Sequence, residues 1–244
     1  MGNDLKKLME GQSEIDKEIY DLAEKEGLSS KDLLPIVDGV CDITQFLNNE
    51  YKVMWILKEP YDDWDEDEDG TLKPYGGGWS LVKDGFCSPN VLKVKSWQPI
   101  IYSMYGLFNG LHYNKMDWIR DDPEMADVMK CIAYINISKI PALTSSENVI
   151  IRRLYKVWRN ILYKQIDLYS PEFIIFGGTY QFFEDDMKAN GAILIRRVFC
   201  EEDNFINVYK LGNTFLLSAY HPAAFKTRLC YVDSIIDTIN ELKC

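Results

Sequence analysis

The stretch Tyr51-Lys52-Val53-Met54-Trp55-Ile56-Leu57-Lys58-Glu59-Pro60-Tyr61 decides the fold class. Its first seven residues are β-branched, aromatic or aliphatic, interrupted by one lysine. A strand with one wet face alternates polar and apolar residues. A strand without that alternation is buried on both faces, as in a parallel sheet covered by helices. Pro60 has no N–H to give to a ladder and closes the strand. Three more stretches read the same way: Cys131-Ile132-Ala133-Tyr134-Ile135-Asn136-Ile137, Phe173-Ile174-Ile175-Phe176-Gly177-Gly178 after Pro171, and Thr214 to Tyr220, closed by His221-Pro222. Residues 193–199 and 205–210 are weaker strand candidates.

Helical patterns separate these strands. Leu5, Leu8, Met9, Ile15, Ile19 and Leu22 predict a helix over 1–26, ended by Gly27, and Ser29-Ser30-Lys31-Asp32 reads as the start of a short second one. Trp97 to Leu111 is an apolar helix. From Asn148 to Asp167, Ile150, Leu154, Val157 and Ile161 form a stripe, with Arg152, Arg153, Lys156, Arg159 and Lys164 mainly off it. Further helices are expected from about Thr179 and over Tyr231 to Leu242. Strands separated by helices predict an α/β fold of three layers, with a central four-stranded parallel sheet between helices. One domain over 51–244 is expected, with a helical segment, 1–50, packed on it.

Ligands of such sheets collect beyond the carboxyl ends of the strands. The residues there are Glu59-Pro60-Tyr61, Asn136, Gly177-Gly178 and His221-Pro222. Singly, they read as a surface acid, a turn former, a helix-packing glycine pair and a core histidine. On one rim, a carboxylate, an amide and an imidazole make an acid/base and hydrogen-bonding set.

The 244 residues carry 27 Lys and Arg against 38 Asp and Glu, a net charge of −11, and a hydrophobic share of 47% supports a sizeable core. No apolar run reaches the ~18–20 residues of a membrane span, and the start lacks a signal peptide's apolar stretch. The six cysteines include no Cys-x-x-Cys, and there are two histidines. That spacing argues against a zinc or iron–sulfur site; no metal or cofactor is expected, and free thiols in a reducing cytoplasm are. Asp62-Asp63-Trp64-Asp65-Glu66-Asp67-Glu68-Asp69 holds seven carboxylates in eight positions. It reads as a solvated, self-repelling loop. The sharper readings are a divalent-cation site, although the run lacks the calcium-loop spacing, and a mimic of a phosphate backbone.

The order of the rim motifs resembles the uracil-DNA glycosylase superfamily over about residues 51–243. Leu57-Lys58-Glu59-Pro60-Tyr61 stands where that family has Gly-Gln-Asp-Pro-Tyr or Gly-Glu-x-Pro-Gly. Tyr134-Ile135-Asn136 is similar to its strand ending in Asn, Pro171 through Gly178 to its Pro-then-apolar strand ending in Gly, and His221-Pro222-Ala223-Ala224-Phe225 to its His-Pro motif. The resemblance implies a DNA-repair hydrolase that cleaves uracil, or a related damaged pyrimidine, from single-stranded or damaged DNA. Glu59 would position water and stabilise a cationic sugar, and His221 would donate to the departing base. Asn136 would read the pyrimidine edge, Tyr61 would crowd its C5 position, and one of Trp79, Phe86 and Trp97 would stack on it. Phe225 would fill the vacated stack. Independently of the resemblance, the helix at 148–165 with Lys139, Lys226 and Arg228 is expected to supply a local basic face for the nucleic-acid backbone. The chain departs from the pattern at Leu57-Lys58, which replace the leading Gly, and at Ala223, where many members have Ser. The acidic balance also opposes non-specific DNA binding. The other reading is a catalytically inactive protein of the same fold that binds a nucleic acid, or a basic protein partner through the acidic loop 62–69. In the catalytic reading, that loop is expected to act as a mobile gate beside the pocket.

Overall fold

The computed structural model describes residues 2–143, 147–201, 204–224 and 227–243. Among the described residues, nine strands and six α-helices follow in the order α1 (Gly2–Lys25), β1 (Gly39–Val40), α2 (Ile43–Asn48), β2 (Val53–Leu57), β3 (Trp64–Glu66), β4 (Leu72–Pro74), α3 (Trp97–Asn109), β5 (Ala133–Asn136), α4 (Asn148–Tyr169), β6 (Phe173–Gly177), α5 (Tyr180–Ala189), β7 (Ile193–Glu201), β8 (Asn204–Leu211), β9 (Thr214–Ala219) and α6 (Arg228–Lys243). Seven strands form one mixed sheet in the order β1-β5-β2-β6-β9-β8-β7, and β3 and β4 form a separate hairpin.

The four apolar stretches lie side by side as β5, β2, β6 and β9, and each neighbouring pair is parallel. The expected four-stranded sheet is corrected to seven strands. The two weak candidates extend it as β8 and β7, antiparallel to β9 and to each other. Gly39–Val40 adds a two-residue antiparallel edge beside β5. The outer strands gave a weak signal because β7 ends the sheet and exposes apolar side chains as well as arginines, Ile193 and Phe199 among the former. Residues 29–32 form no helix. The Ser30 N–H instead donates to the Leu33 carbonyl, 2.8 Å away, in a local turn.

The period of two along each central strand divides the core between two faces. Val53, Trp55 and Leu57 of β2 point to one side with Phe173, Ile175 and Leu217, and α3 and α6 cover them. Met54, Ile56, Ile174, Phe176 and Leu216 point to the other, beneath α1, α4 and α5. Both faces are dry, so the strands needed no polar alternation. Each large side chain fully buried there contributes about 1.5–3 kcal/mol of transfer free energy. No helix among the described residues is long and apolar enough to cross a membrane.

Candidate functional site

Three parallel strands deliver polar groups to one cavity of about 230 Å³, lined by Glu59, Tyr61, Asn136 and His221 together with Trp79, Trp97 and Tyr134. The register brings them together. Leu57 of β2 lies opposite Asn136 of β5. Beyond them the two chains stay paired, with the Ile137 N–H on the Leu57 carbonyl at 2.9 Å, Ser138 N–H on Lys58 at 2.8 Å and Ala142 N–H on Pro60 at 3.0 Å. This ladder fixes the segment that carries Glu59 and Tyr61. Glu59 is buried, and its Oε1 accepts the Tyr61 hydroxyl at 3.1 Å. Tyr61 is half exposed, and burial, then the neighbouring carboxylate, raises its pKa.

Asn136 is 1% exposed, and its Oδ1 has no hydrogen-bond partner among the described residues. A buried amide oxygen left without a partner carries a desolvation cost of about 1–3 kcal/mol, which a ligand N–H would relieve. The backbone of Asn136 is fully used. Its N–H donates to Asp38 Oδ2 at 2.7 Å, and its carbonyl accepts Lys139 Nζ at 2.8 Å. Lys139 Nζ also meets Asp38 Oδ1 at 2.7 Å and Gln165 Oε1 at 2.9 Å. This network corrects the reading of Lys139 as a contact to the nucleic-acid backbone: the side chain is 0% exposed and committed to the interior.

His221 follows β9. Its Nδ1 accepts the Ala223 N–H at 3.1 Å, which leaves Nε2 to carry the proton of the neutral ring. Burial, then the positive charge of Lys58, lowers its pKa below 6.5. The ring is therefore a neutral donor near pH 7. Gly178, at φ +71°, makes the approach of the His-Pro segment possible. A Cβ there would stand 3.2 Å from His221 N and Cβ, and L residues rarely adopt that φ.

Trp97 donates its indole N–H to the Tyr134 hydroxyl at 3.2 Å. Trp79 donates to Asp62 Oδ2 at 2.8 Å. Both indoles line the cavity. Phe86 does not; it is 3% exposed and packs edge-on behind Trp97 and Tyr134, with centroids at 5.0 and 5.3 Å. The structure thus supports the aromatic wall with Phe86 rather than presenting its ring to a ligand.

Arg228 is exposed at the start of α6, where it donates to Gln98 Oε1 at 2.8 Å. It shares a cleft of about 350 Å³ with Lys93, Lys95 and the segment Pro222-Ala223-Ala224. Sequence reading missed the two lysines, although Lys93-x-Lys95 directly before Trp97 was the available signal. Phe225 and Lys226 lie outside the described residues.

The acidic run is an ordered hairpin rather than an irregular loop. Trp64 faces Pro74 and Glu66 faces Leu72 across β3 and β4. Asp62 anchors its base by accepting the Gly77 N–H and the Trp79 indole N–H on one oxygen. Among the described residues, no group of three or more His, Cys, Asp or Glu side chains gathers to hold a metal. Cys41, Cys87 and Cys131 are free, whereas Cys230 is disulfide-bonded, which corrects the expectation of free thiols throughout. Sequence spacing does not display a pairing made through space.

No protein-family model matches the chain, and a search of curated proteins finds no match.

Proposed function

We propose that the protein is an N-glycosyl hydrolase of the uracil-DNA glycosylase type, releasing uracil or a related damaged pyrimidine from DNA. The observation that carries this reading is the convergence of Glu59, Asn136 and His221 on one aromatic-walled cavity at the carboxyl ends of parallel strands. N-glycosidic cleavage separates a cationic sugar from an anionic base. In this reading, the Glu59 carboxylate stabilises the sugar cation and orients water. The neutral His221 donates from Nε2 toward the oxygen on which the base's charge develops. The Asn136 amide pairs with the pyrimidine edge, and its Oδ1, lacking a partner, awaits a ring N–H. Trp79 and Trp97 are the aromatic surfaces within reach of a flipped base, since stacking normally holds such a base. The cleft with Lys93, Lys95 and Arg228 borders the His-Pro segment and supplies local positive charge on an acidic protein.

The test is release of free base from uracil-containing single- and double-stranded oligonucleotides, read as alkali-labile strand cleavage. Glu59→Gln and His221→Ala are each expected to slow release by about 100-fold or more. A folded wild-type protein that releases no base from any such substrate would refute the reading.

One observation favours the second reading, a non-catalytic protein of this fold. The exposed acidic hairpin stands directly beside Tyr61 at the cavity, where it opposes phosphate and suits a basic partner. Saturable binding of a basic polypeptide that is lost when the hairpin carboxylates are neutralised, with no base release from any substrate, would select it.

A further inference from the structure

We propose that Cys41 and Cys87 form a redox-active dithiol, which closes to a disulfide by exchange with a small-molecule disulfide of the glutathione class. The two cysteines lie 46 positions apart, yet their Sγ atoms are 3.7 Å from each other. A disulfide bond spans ~2.05 Å, so closure asks the sulfurs to approach by roughly 1.7 Å. Cys41 directly follows β1. Cys87 sits between two short helical turns, Leu81–Gly85 and Pro89–Lys93. Neither is held inside a long helix or strand that would resist the approach.

The pair stands at the wall of a cavity of about 630 Å³ between α1, α2 and the segment carrying Lys83 and Cys87. None of its lining residues lines the cavity that holds Glu59 and His221, so the dithiol is a separate site and does not depend on the glycosylase reading. A space of this size accepts a peptide-sized disulfide. Lys83 also lines it and complements a carboxylate of glutathione; of the other charged lining residues, Lys130 is paired with Asp127, and Asp16 and Asp42 are acidic.

Exposure assigns the roles. Cys87 is exposed and Cys41 only partly so. Burial, then the neighbouring Cys87 thiol, pushes Cys41 up to about 12, which leaves it a protonated thiol at neutral pH. Cys87, the exposed sulfur, therefore gives up its proton and attacks one sulfur of the small disulfide. The S–S bond breaks, a mixed disulfide forms at Cys87, and the expelled thiolate takes up a proton. Cys41 then gives up its proton, attacks Cys87 Sγ and expels the second small thiol. Two cysteine thiols and one disulfide become one protein disulfide and two small thiols. Cys131 has no place in this exchange. Its thiol points to Gln45 Oε1 at 3.4 Å.

The bond would tie the chain on either side of Cys87 to β1. Phe86, one residue before Cys87, supports Trp97 and Tyr134, so oxidation would also stiffen the wall of the other cavity.

The test is a redox titration of the intact, folded chain in reduced and oxidised glutathione, followed by acid quench, alkylation and peptide mapping by mass spectrometry. The expected result is a Cys41–Cys87 cross-linked peptide that grows with the oxidised fraction, together with loss of two alkylatable thiols and a fall in mass equal to two hydrogens. Cys131 stays alkylatable throughout. Cys41→Ser accumulates a glutathione adduct at Cys87, and Cys131→Ser titrates as wild type. The proposal is overturned if the wild-type chain keeps both thiols at the most oxidising ratio or stops at glutathione adducts. It is equally overturned if Cys131 enters the cross-link as readily as Cys41.

Discussion

Lys139 Nζ lies 2.7 Å from Asp38 Oδ1, with both side chains shut off from water, and the pair holds the N–H and the carbonyl of Asn136 between them. Removing one member strands the other charge in the interior, at a cost of about 3–5 kcal/mol. Lys139→Met is expected to lose that much stability in urea denaturation. It should also weaken base recognition, because the backbone of Asn136 loses a clamp. A loss below about 1 kcal/mol would show that the pair is worth no more than an exposed one.

The His221 ring gives a pH prediction with a defined sign. Its folded pKa lies below the ordinary 6.5, first through burial and second through Lys58. A neutral donor is then present at 6.5 and is lost only as pH falls through the depressed value. Base release should accordingly persist below pH 6.5 before it declines. Lys58→Met removes the second cause, so the acid limb should move up toward 6.5. NMR titration of the His221 ring protons reads the same shift without needing activity. An unmoved titration in Lys58→Met would exclude the charge effect.

Gly178 and Gly191 separate backbone strain from crowding at the site. Both have positive φ, +71° and +92°, but an added Cβ meets His221 only at Gly178 and meets nothing within 4 Å at Gly191. Alanine at either position should cost about 1–2 kcal/mol through its backbone conformation. Gly178→Ala alone should disturb the His221 titration and slow base release. Equal effects of the two variants on the site would remove Gly178 from its proposed role in seating the histidine.

How far the sequence could be read follows from where each signal resides. The four central strands announced themselves because two dry faces remove polar alternation over consecutive residues. Glu59, Asn136 and His221 were legible because each stands at the end of such a run. Lys139 misled, since Ser138-Lys139-Ile140-Pro141 looks like any surface turn. What buries it is Asp38, 101 positions away, and no local pattern encodes that pairing. Phe86 misled for a similar reason: apolarity alone does not tell a ring facing a cavity from one packed behind its wall. The acidic hairpin was hidden because seven carboxylates outweigh the strand tendency of Trp64 and Leu72, whereas the pairing rests on backbone ladders and on the anchor at Asp62.

That anchor sharpens the last prediction, which concerns the charge of the hairpin. Deleting 62–69 would also remove the acceptor for the Trp79 indole and so alter the cavity wall. Asp67 pairs with Lys73 across the turn. The informative variant therefore keeps Asp62 and Asp67 and converts Asp63, Asp65, Glu66, Glu68 and Asp69, all exposed, to their amides. If the hairpin repels phosphate beside the cavity, the variant should bind a labelled oligonucleotide about tenfold more tightly at low salt, where exposed charges act over ~30 Å. The gain should shrink steadily as salt is added, because the Debye length falls to ~3 Å at 1 M. The fold should not change: Asp62 holds the hairpin base, and where Asp65 and Asp69 accept the Glu66 and Thr71 N–H groups, an amide oxygen can accept in their place. If the hairpin instead serves a basic protein partner, its neutralisation leaves oligonucleotide affinity the same at every salt concentration. Fluorescence anisotropy across a salt series distinguishes the two, and a flat difference plot would sink the repulsive gate.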